Sequence, residues 1–488
     1  MANGCRRLVL NTAIIICSSL AVAIPLCAIK KIPTNVLKLF GKIFAIALFA
    51  FGTVRCFLND NFVWIINGGN YGEQYYQTSD HGHAVLRWLT YLGFSVYPCA
   101  FFLNNRTLKN FAVYFCTPVA IVASFFYGDF LSYFLTPSYR AIYAPAYVRH
   151  IEFSGELILS IAMGIMLRFG LGHKFDLKSK KEIKYFAVML PITLVSVFPV
   201  YLPQALFGFS RLHMQPLSLQ HFVWLSLLLA IFAVAYFILR FRPFEQRYAV
   251  CVFLSLYLVM HYNSIYLMDL KLSRLPFQLC NLGSYLVLIA LIIRKQPFSN
   301  FVMIANVPGT IIALFVPDVR EGMLSFWNIH YYIEHMLVFL IPMLMVTLRI
   351  CERPDNRAIK HFFIGFSIYF VFCAVIGSLF NGYLFKPGDP FYTEVNYFFM
   401  FDDKISTVLM FMKFTYNFPV SINGYLIYPL YMALVYVLFS FFCMVMFWGY
   451  KKLCKVGDEH FKLRLIRIGL YRERHPNTKK FFHEKYID

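Results

Sequence analysis

Apolar residues in this chain come in runs of about twenty, separated by polar stretches, which is the spacing of helices that cross a lipid bilayer. The runs predict spans at 11–28, 37–58, 84–104, 110–133, 149–169, 182–204, 219–241, 247–268, 275–293, 298–317, 329–348, 358–380 and 425–448. The expected fold is an all-α polytopic membrane protein with about thirteen transmembrane helices. Polar positions between the runs set the orientation. Lys30/Lys31, Arg106/Lys109, Lys178 to Lys184, Arg240 to Arg247, Arg294/Lys295, Arg349 to Lys360 and the tail from Lys451 all fall on one side. By the positive-inside rule that side is the cytoplasm, which puts the C-terminus inside and the N-terminus outside. The opposite side receives Asp60, Glu73 and Asp80 in one loop and Asp389, Glu394, Asp402 and Asp403 in another. The first run follows Arg6 and Arg7 as a signal peptide would, but it ends in Pro25-Leu26-Cys27-Ala28 without a small-x-small cleavage site, so a retained helix is expected.

The pattern also repeats. Arg87-Trp88-Leu89, Asn110-Phe111 and His150-Ile151-Glu152 recur in order as Arg274-Leu275-Pro276, Asn300-Phe301 and Ile329-His330, and Ile183-Lys184-Tyr185-Phe186 returns as Ile359-Lys360-His361-Phe362. This predicts an N-terminal helix and loop over 1–36, two six-helix units of like orientation over 37–245 and 247–450, and a basic tail over 451–488. Chance likeness between apolar helices is the plainer alternative.

Composition narrows the class. Hydrophobic residues make up 59% of the chain and charged ones 14%, as a membrane protein requires. The net charge of +21 lies in alternate loops and the tail, without an aromatic-studded basic groove, so topology explains it and no nucleic-acid partner is expected. None of the 12 cysteines falls in the hydrophilic loops 59–82 and 382–424, so each is first a small buried hydrophobe and no disulfide framework is expected.

Against that background two segments stand out as sides of one site: Leu275-Pro276-Phe277-Gln278-Leu279-Cys280-Asn281-Leu282-Gly283 and Tyr331-Tyr332-Ile333-Glu334-His335. Pro276 suits a first helical position, which would put Cys280 about one turn inside the helix, in the favourable end of its dipole. His335 is expected a similar distance into the next helix of that direction, both some 6–10 Å below one membrane face. A thiol beside an imidazole is a nucleophile with its general base, and an acyl-thioester is the intermediate such a pair forms. Asn381 and Tyr332 are candidates for orienting the imidazole. Packing for the cysteine and helix–helix bonding for the histidine are the structural alternatives. His330 and His335 stand about 140° apart on a helix and cannot share one ion, and His81-Gly82-His83 lacks further ligands. No nucleotide, zinc or serine-hydrolase motif is present, so no cofactor is expected.

These same residues resemble a known family. Leu-Pro-x-x-Leu-Cys at 275–280, Tyr-Tyr-Ile-Glu-His at 331–335 with Ile341-Pro342 beyond, and Asn381-Gly382-Tyr383-Leu384-Phe385-Lys386-Pro387 with Asp389-Pro390-Phe391 are similar to the transmembrane protein 164 and bacterial YwaF-type integral membrane proteins, over roughly 247–450. The resemblance implies an acyltransferase moving fatty acyl chains between phospholipids, or a related lipid ester hydrolase, with Cys280 as nucleophile, His335 as base and Asn381 as an orienting or substrate-binding group; Tyr332, Gln278 and Tyr383 are further candidates for orienting or binding. The extra N-terminal half departs from that pattern, as does Gln278, where a more basic residue is expected of bacterial relatives. Two other readings remain open at this point: a lipid-translocating carrier built from two repeats, and a scaffold whose basic tail, with Lys462, Arg464, Arg467, Arg472 and Arg474, binds anionic lipid. The expected location is the cell membrane.

Overall fold

A computed structural model describes residues 2–28, 33–58, 78–103, 105–127, 146–196, 215–267, 271–315, 317, 322, 325–389, 391–402, 405–406 and 409–474. Among the described residues the protein is helical almost throughout. Its helices are α1 (Ala2–Ala28), α2 (Thr34–Leu58), α3 (Thr78–Phe102), α4 (Arg106–Phe125), α5 (Ala146–Ile165), α6 (Lys180–Ser196), α7 (Leu219–Leu239), α8 (Phe244–Asn263), α9 (Leu279–Ile293), α10 (Gln296–Phe315), α11 (Phe326–Thr347), α12 (Arg357–Leu384) and α13 (Pro429–Arg474). Ten candidate spans are long and apolar enough to cross a membrane; Leu89–Phe102 of α3 and Leu279–Ile293 are shorter apolar helices. This is an integral multi-pass membrane protein. The sixth expected span is helical over Lys180–Ser196, and its remainder lies outside the described residues. So do Lys30, Lys31, Asp60, Glu73, Pro390 and Asp403, and the side chains of His81, His83 and the tail arginines from residue 460 on.

Two compact units divide the chain. One comprises Met1–His221, Val252–Leu270 and Asp318–Glu334, the other Phe222–Cys251, Lys271–Pro317 and His335–Asp488. In the first, α1 is packed rather than loose: Ile15 and Ala23 are buried and the Thr12 hydroxyl donates to the Ser124 carbonyl at 2.9 Å. In the second, the core is aromatic. Phe362, Phe366, Tyr369 and Phe370 on α12 face Phe398, with Phe366 and Phe398 ring centroids 5.5 Å apart. The opposite stripe of α12, Ile364, Ile368, Val371 and Val375, is exposed at helical spacing, as a lipid-facing surface requires.

The same interrupted helix occurs in each unit. In α4 an α-helix over Arg106–Phe111 passes through a π-turn at Ala112–Cys116 and resumes over Thr117–Phe125. In α10 the order is Gln296–Phe301, a π-turn at Val302–Asn306, then Val307–Phe315. Every boundary is displaced equally, 106 to 296, 112 to 302 and 117 to 307. α5 and α11 also end alike, each with an N–H reaching back five residues: Leu171 to Met166 and Ile350 to Met345, both at 2.8 Å.

The only strands among the described residues are Val420–Ile422 and Tyr425–Ile427, an antiparallel hairpin. Its turn is Asn423-Gly424, both at positive φ (51° and 86°), the sequence that the twist of a two-residue hairpin favours.

Candidate functional site

Cys280 sits closer to its helix end than Pro276 predicted. The chain runs through a short 3₁₀ turn at Leu272–Arg274, stays extended at Leu275 (ψ 151°) and Gln278 (ψ 145°), and becomes helical only at Leu279. The residue before proline resists the helical region, so Leu275-Pro276 belongs to the approach rather than to the helix. Cys280 is the second helical residue, partly exposed, and its thiol donates to Asn281 Oδ1 at 3.2 Å. α9 has only 15 residues, a rise of about 22 Å against a hydrocarbon thickness of about 30 Å. Arg294 and Lys295 stand at its other end, away from the cysteine.

The irregular backbone that leads into this apolar helix finds its hydrogen bonds within the protein. A loop before the hairpin supplies them. Leu272 N–H donates to the Phe391 carbonyl (3.0 Å), the Tyr397 hydroxyl donates to the Leu272 carbonyl (2.5 Å), and Gln278 donates from Nε2 to the Asn396 carbonyl (2.7 Å) while its Oε1 accepts from Phe398 N–H (2.9 Å). From α12, the Tyr369 hydroxyl donates to the Phe277 carbonyl at 2.9 Å. Asn381 works on the same loop: its Nδ2 donates to the Val395 carbonyl (2.9 Å) and its Oδ1 accepts from Val395 N–H (2.8 Å). Thus Gln278 and Asn381 are brought together as anchors of one loop, from opposite sides. Asp389 closes its start by accepting from Phe391 and Tyr392 N–H, and these two bonds hold its carboxyl below the usual range. Tyr383, by contrast, is 64% exposed.

His335 is buried on α11, which begins at Phe326, so it lies nine residues in whereas Cys280 lies one residue in. Counting from helix ends therefore does not put the two level. A packing contact fixes the register instead. A Cβ added to Gly283 would fall 2.1 Å from Asn306 Nδ2 and 3.1 Å from Val338 Cγ1, so α9 presses against α10 and α11 at this glycine. Cys280 precedes Gly283 by three residues and His335 precedes Val338 by three, on helices that run the same way if each run crosses the membrane. Each is about 4.5 Å, roughly one turn, up its helix from that contact.

Asn306 was not among the expected site residues. It ends the π-turn of α10, is wholly buried, and neither its Nδ2 nor its Oδ1 has a hydrogen-bond partner. A buried amide in that state forfeits on the order of 1–3 kcal/mol for each unmet group, so its retention calls for a reason. The sequence held a faint signal, a lone amide in the apolar run Phe301–Phe315.

Tyr332 is buried in the first unit, its ring centroid 6.2 Å from that of His221. There His330 pairs with a histidine the sequence reading passed over. His261 and His330 stack at 4.6 Å, and each donates from Nε2 to the other's carbonyl, at 3.2 Å and 3.0 Å. Both imidazoles thereby join helices. No group of three or more metal-ligating side chains occurs among the described residues.

The first unit holds a second buried polar centre. Arg55 Nη1 donates to Thr90 Oγ1 (2.8 Å) and to Glu156 Oε1 (2.7 Å), with its guanidinium 4.1 Å from the Tyr91 ring centroid. Arg55 and Glu156 are 1% and 2% exposed, and Glu152 is buried nearby on the same helix as Glu156.

Comparison with known proteins returns one family: the TMEM164 family model matches residues 216–447. The match covers the C-terminal half, as the resemblance at Cys280, His335 and Asn381 implied, and begins early enough to include α7. No curated protein and no solved structure matches.

Proposed function

We propose that this integral membrane protein, whose C-terminal half is of the TMEM164 family, transfers fatty acyl chains between phospholipids through Cys280 and His335 near the extracytoplasmic face. The observation that carries the reading is the Gly283 contact, because it supports a common depth for the two side chains on adjoining helices. The short rise of α9 supports a depth just below the surface, where an ester carbonyl lies.

In this reading His335 takes the Cys280 thiol proton and the thiolate attacks the ester carbonyl of a phospholipid. The tetrahedral intermediate collapses, the C–O bond breaks, and His335 returns the proton to the departing lysophospholipid hydroxyl. An acyl-thioester remains. A second lysophospholipid then gives its hydroxyl proton to His335 and attacks the thioester, and the released thiolate recovers the proton. Asn306 is the positioning residue: its Oδ1, one turn below the pair and without a partner in this structure, is the acceptor a small turn of the His335 ring would meet during turnover, fixing the tautomer that leaves the other nitrogen basic. Gln278 and Asn381 hold the loop that walls the substrate approach, with Tyr383 at its exposed edge.

The equal displacement of α4 and α10 supports duplication of a six-helix unit. In that register Gly93 stands for Gly283 and Thr90 for Cys280; the ends of α5 and α11 are displaced differently, Met166 to Met345 and Leu171 to Ile350, and by their displacement Glu156 stands for His335. The test is a long-chain phospholipid analogue carrying an electrophilic ester, applied to purified protein in nanodiscs. A hydroxylamine-sensitive adduct on Cys280, lost in His335→Ala, is expected; labelling elsewhere, or undiminished labelling of Cys280→Ala, overturns the mechanism.

A further inference from the structure

The basic face of the first unit contains a cavity that acyl transfer does not use. It measures about 430 Å³ and is framed by the starts of α2 and α4 and by the segment after α5. Lys38, Arg106, Lys109 and Lys174 contribute to its lining together with His173, and no carboxylate does. Glu182 is already engaged, bonded by Arg106 and by Asn110 Nδ2 at 3.1 Å, and its other oxygen accepts from Asp176 N–H at 2.9 Å. Four cations thus face a space wide enough for a small-molecule headgroup.

The imidazole reports the field inside. His173 is half-buried and bonds Asn110 Oδ1 from Nε2 at 2.7 Å. Burial, then Arg106 and Lys109, with Arg168 adding to them against Glu182, lowers it to about 4. Burial does most of this, and the neighbouring cations add to it, so the cavity is a place of net positive potential that the Arg106–Glu182 pair offsets in part. Leu167 and Leu171 close the remaining wall, so the cavity offers cations to a polar group and apolar surface to whatever it is attached to.

We infer that this cavity binds a phosphomonoester anion, with Lys38, Lys109 and Lys174 contacting the phosphate oxygens and His173 becoming protonated as a further donor. The phosphate belongs either to a membrane lipid headgroup or to a soluble molecule, and both share this chemistry. Lysines act here as point charges, and binding by them weakens with rising salt.

The full-length protein in phosphatidylcholine nanodiscs, with or without phosphatidylinositol 4-phosphate, separates the two sources, with inositol 1,4-bisphosphate as the soluble arm. Binding by native mass spectrometry and the His173 titration by NMR are the readouts. Either probe should raise the His173 pKa by one unit or more, and Lys38→Gln with Lys109→Gln should weaken its binding at least tenfold. Lys38→Arg with Lys109→Arg should keep it, which separates lost charge from lost folding. Response to the lipid alone identifies a headgroup site, and response to both probes identifies a site that takes soluble phosphate as well. If neither probe moves the His173 titration, or the glutamine pair binds as tightly as the unaltered protein, the inference is wrong.

Discussion

Arg55 with Thr90 and Glu156 in one unit, and Cys280 with His335 and Asn306 in the other, occupy corresponding places in the proposed duplication, and their chemistry is opposite. In the first centre one guanidinium nitrogen donates to both a hydroxyl and a carboxylate, an ion pair of opposite charges under the face of Tyr91. The second keeps a neutral amide with neither end hydrogen-bonded, pressed against Gly283. A charge buried with its partner holds helices together; polar groups left with spare capacity hold a substrate or a proton in transit.

The largest expected effect tests which side carries chemistry. Cys280→Ala or His335→Ala should lower acyl transfer by about a thousandfold or more, whereas Thr90→Val should leave it within about twofold. Loss of transfer in Thr90→Val at unchanged thermal stability would erase the distinction. Next comes the clamp. Arg55→Ala removes the guanidinium paired with Glu156 and should destabilise the fold by about 3–5 kcal/mol, while Arg55→Met together with Glu156→Leu should restore most of that in the same thermal-unfolding assay. If the double variant is as unstable as the single one, the pair is more than a clamp.

Asn306 should behave in the reverse way. Asn306→Leu removes unmet polar groups and should hold or raise stability by about 1–3 kcal/mol, yet slow iodoacetamide alkylation of Cys280 about tenfold at neutral pH and move its pH midpoint upward. Asn306→Asp keeps an acceptor and should retain the midpoint. A pH profile unchanged in Asn306→Leu would make the residue mere packing. Gly283→Ala, which drives a methyl into the amide, should cost about 1–3 kcal/mol and disturb the same profile.

The smallest effect belongs to the basic face. His173 is held at about 4, below its ordinary 6.5, by burial and then by Arg106 and Lys109. As pH falls, the unfolded chain takes up the proton first. The neutral ring therefore contributes its stability in full above about 6.5 and loses it progressively toward about 4. Chemical unfolding at pH 7.5 and 5 should show a larger drop for the unaltered protein than for His173→Asn; equal drops would remove this role.

Local signals at the candidate site are legible in the sequence, and contacts with distant neighbours are not. The Leu-Pro-x-x-Leu-Cys and Tyr-Tyr-Ile-Glu-His segments were visible because polar residues are rare in apolar runs, and the family match over 216–447 agrees with them. Asn381 and Gln278 were equally visible, yet what they bond, the backbone of residues 395–398, lies more than a hundred positions from Gln278. Asn306 looked like any isolated amide until its partners, or their lack, were known.

The chain by itself determined its helices, their membrane setting and the break between apolar spans, because each follows from local hydrophobicity and from residues such as Pro276 or Asn423-Gly424 that constrain their own backbone. The level of Cys280 against His335 was decided only in three dimensions. Helix ends do not set it; a missing side chain at Gly283 lets three helices approach, and such an approach depends on the shapes of Asn306 and Val338 rather than on the order of residues along any one of them.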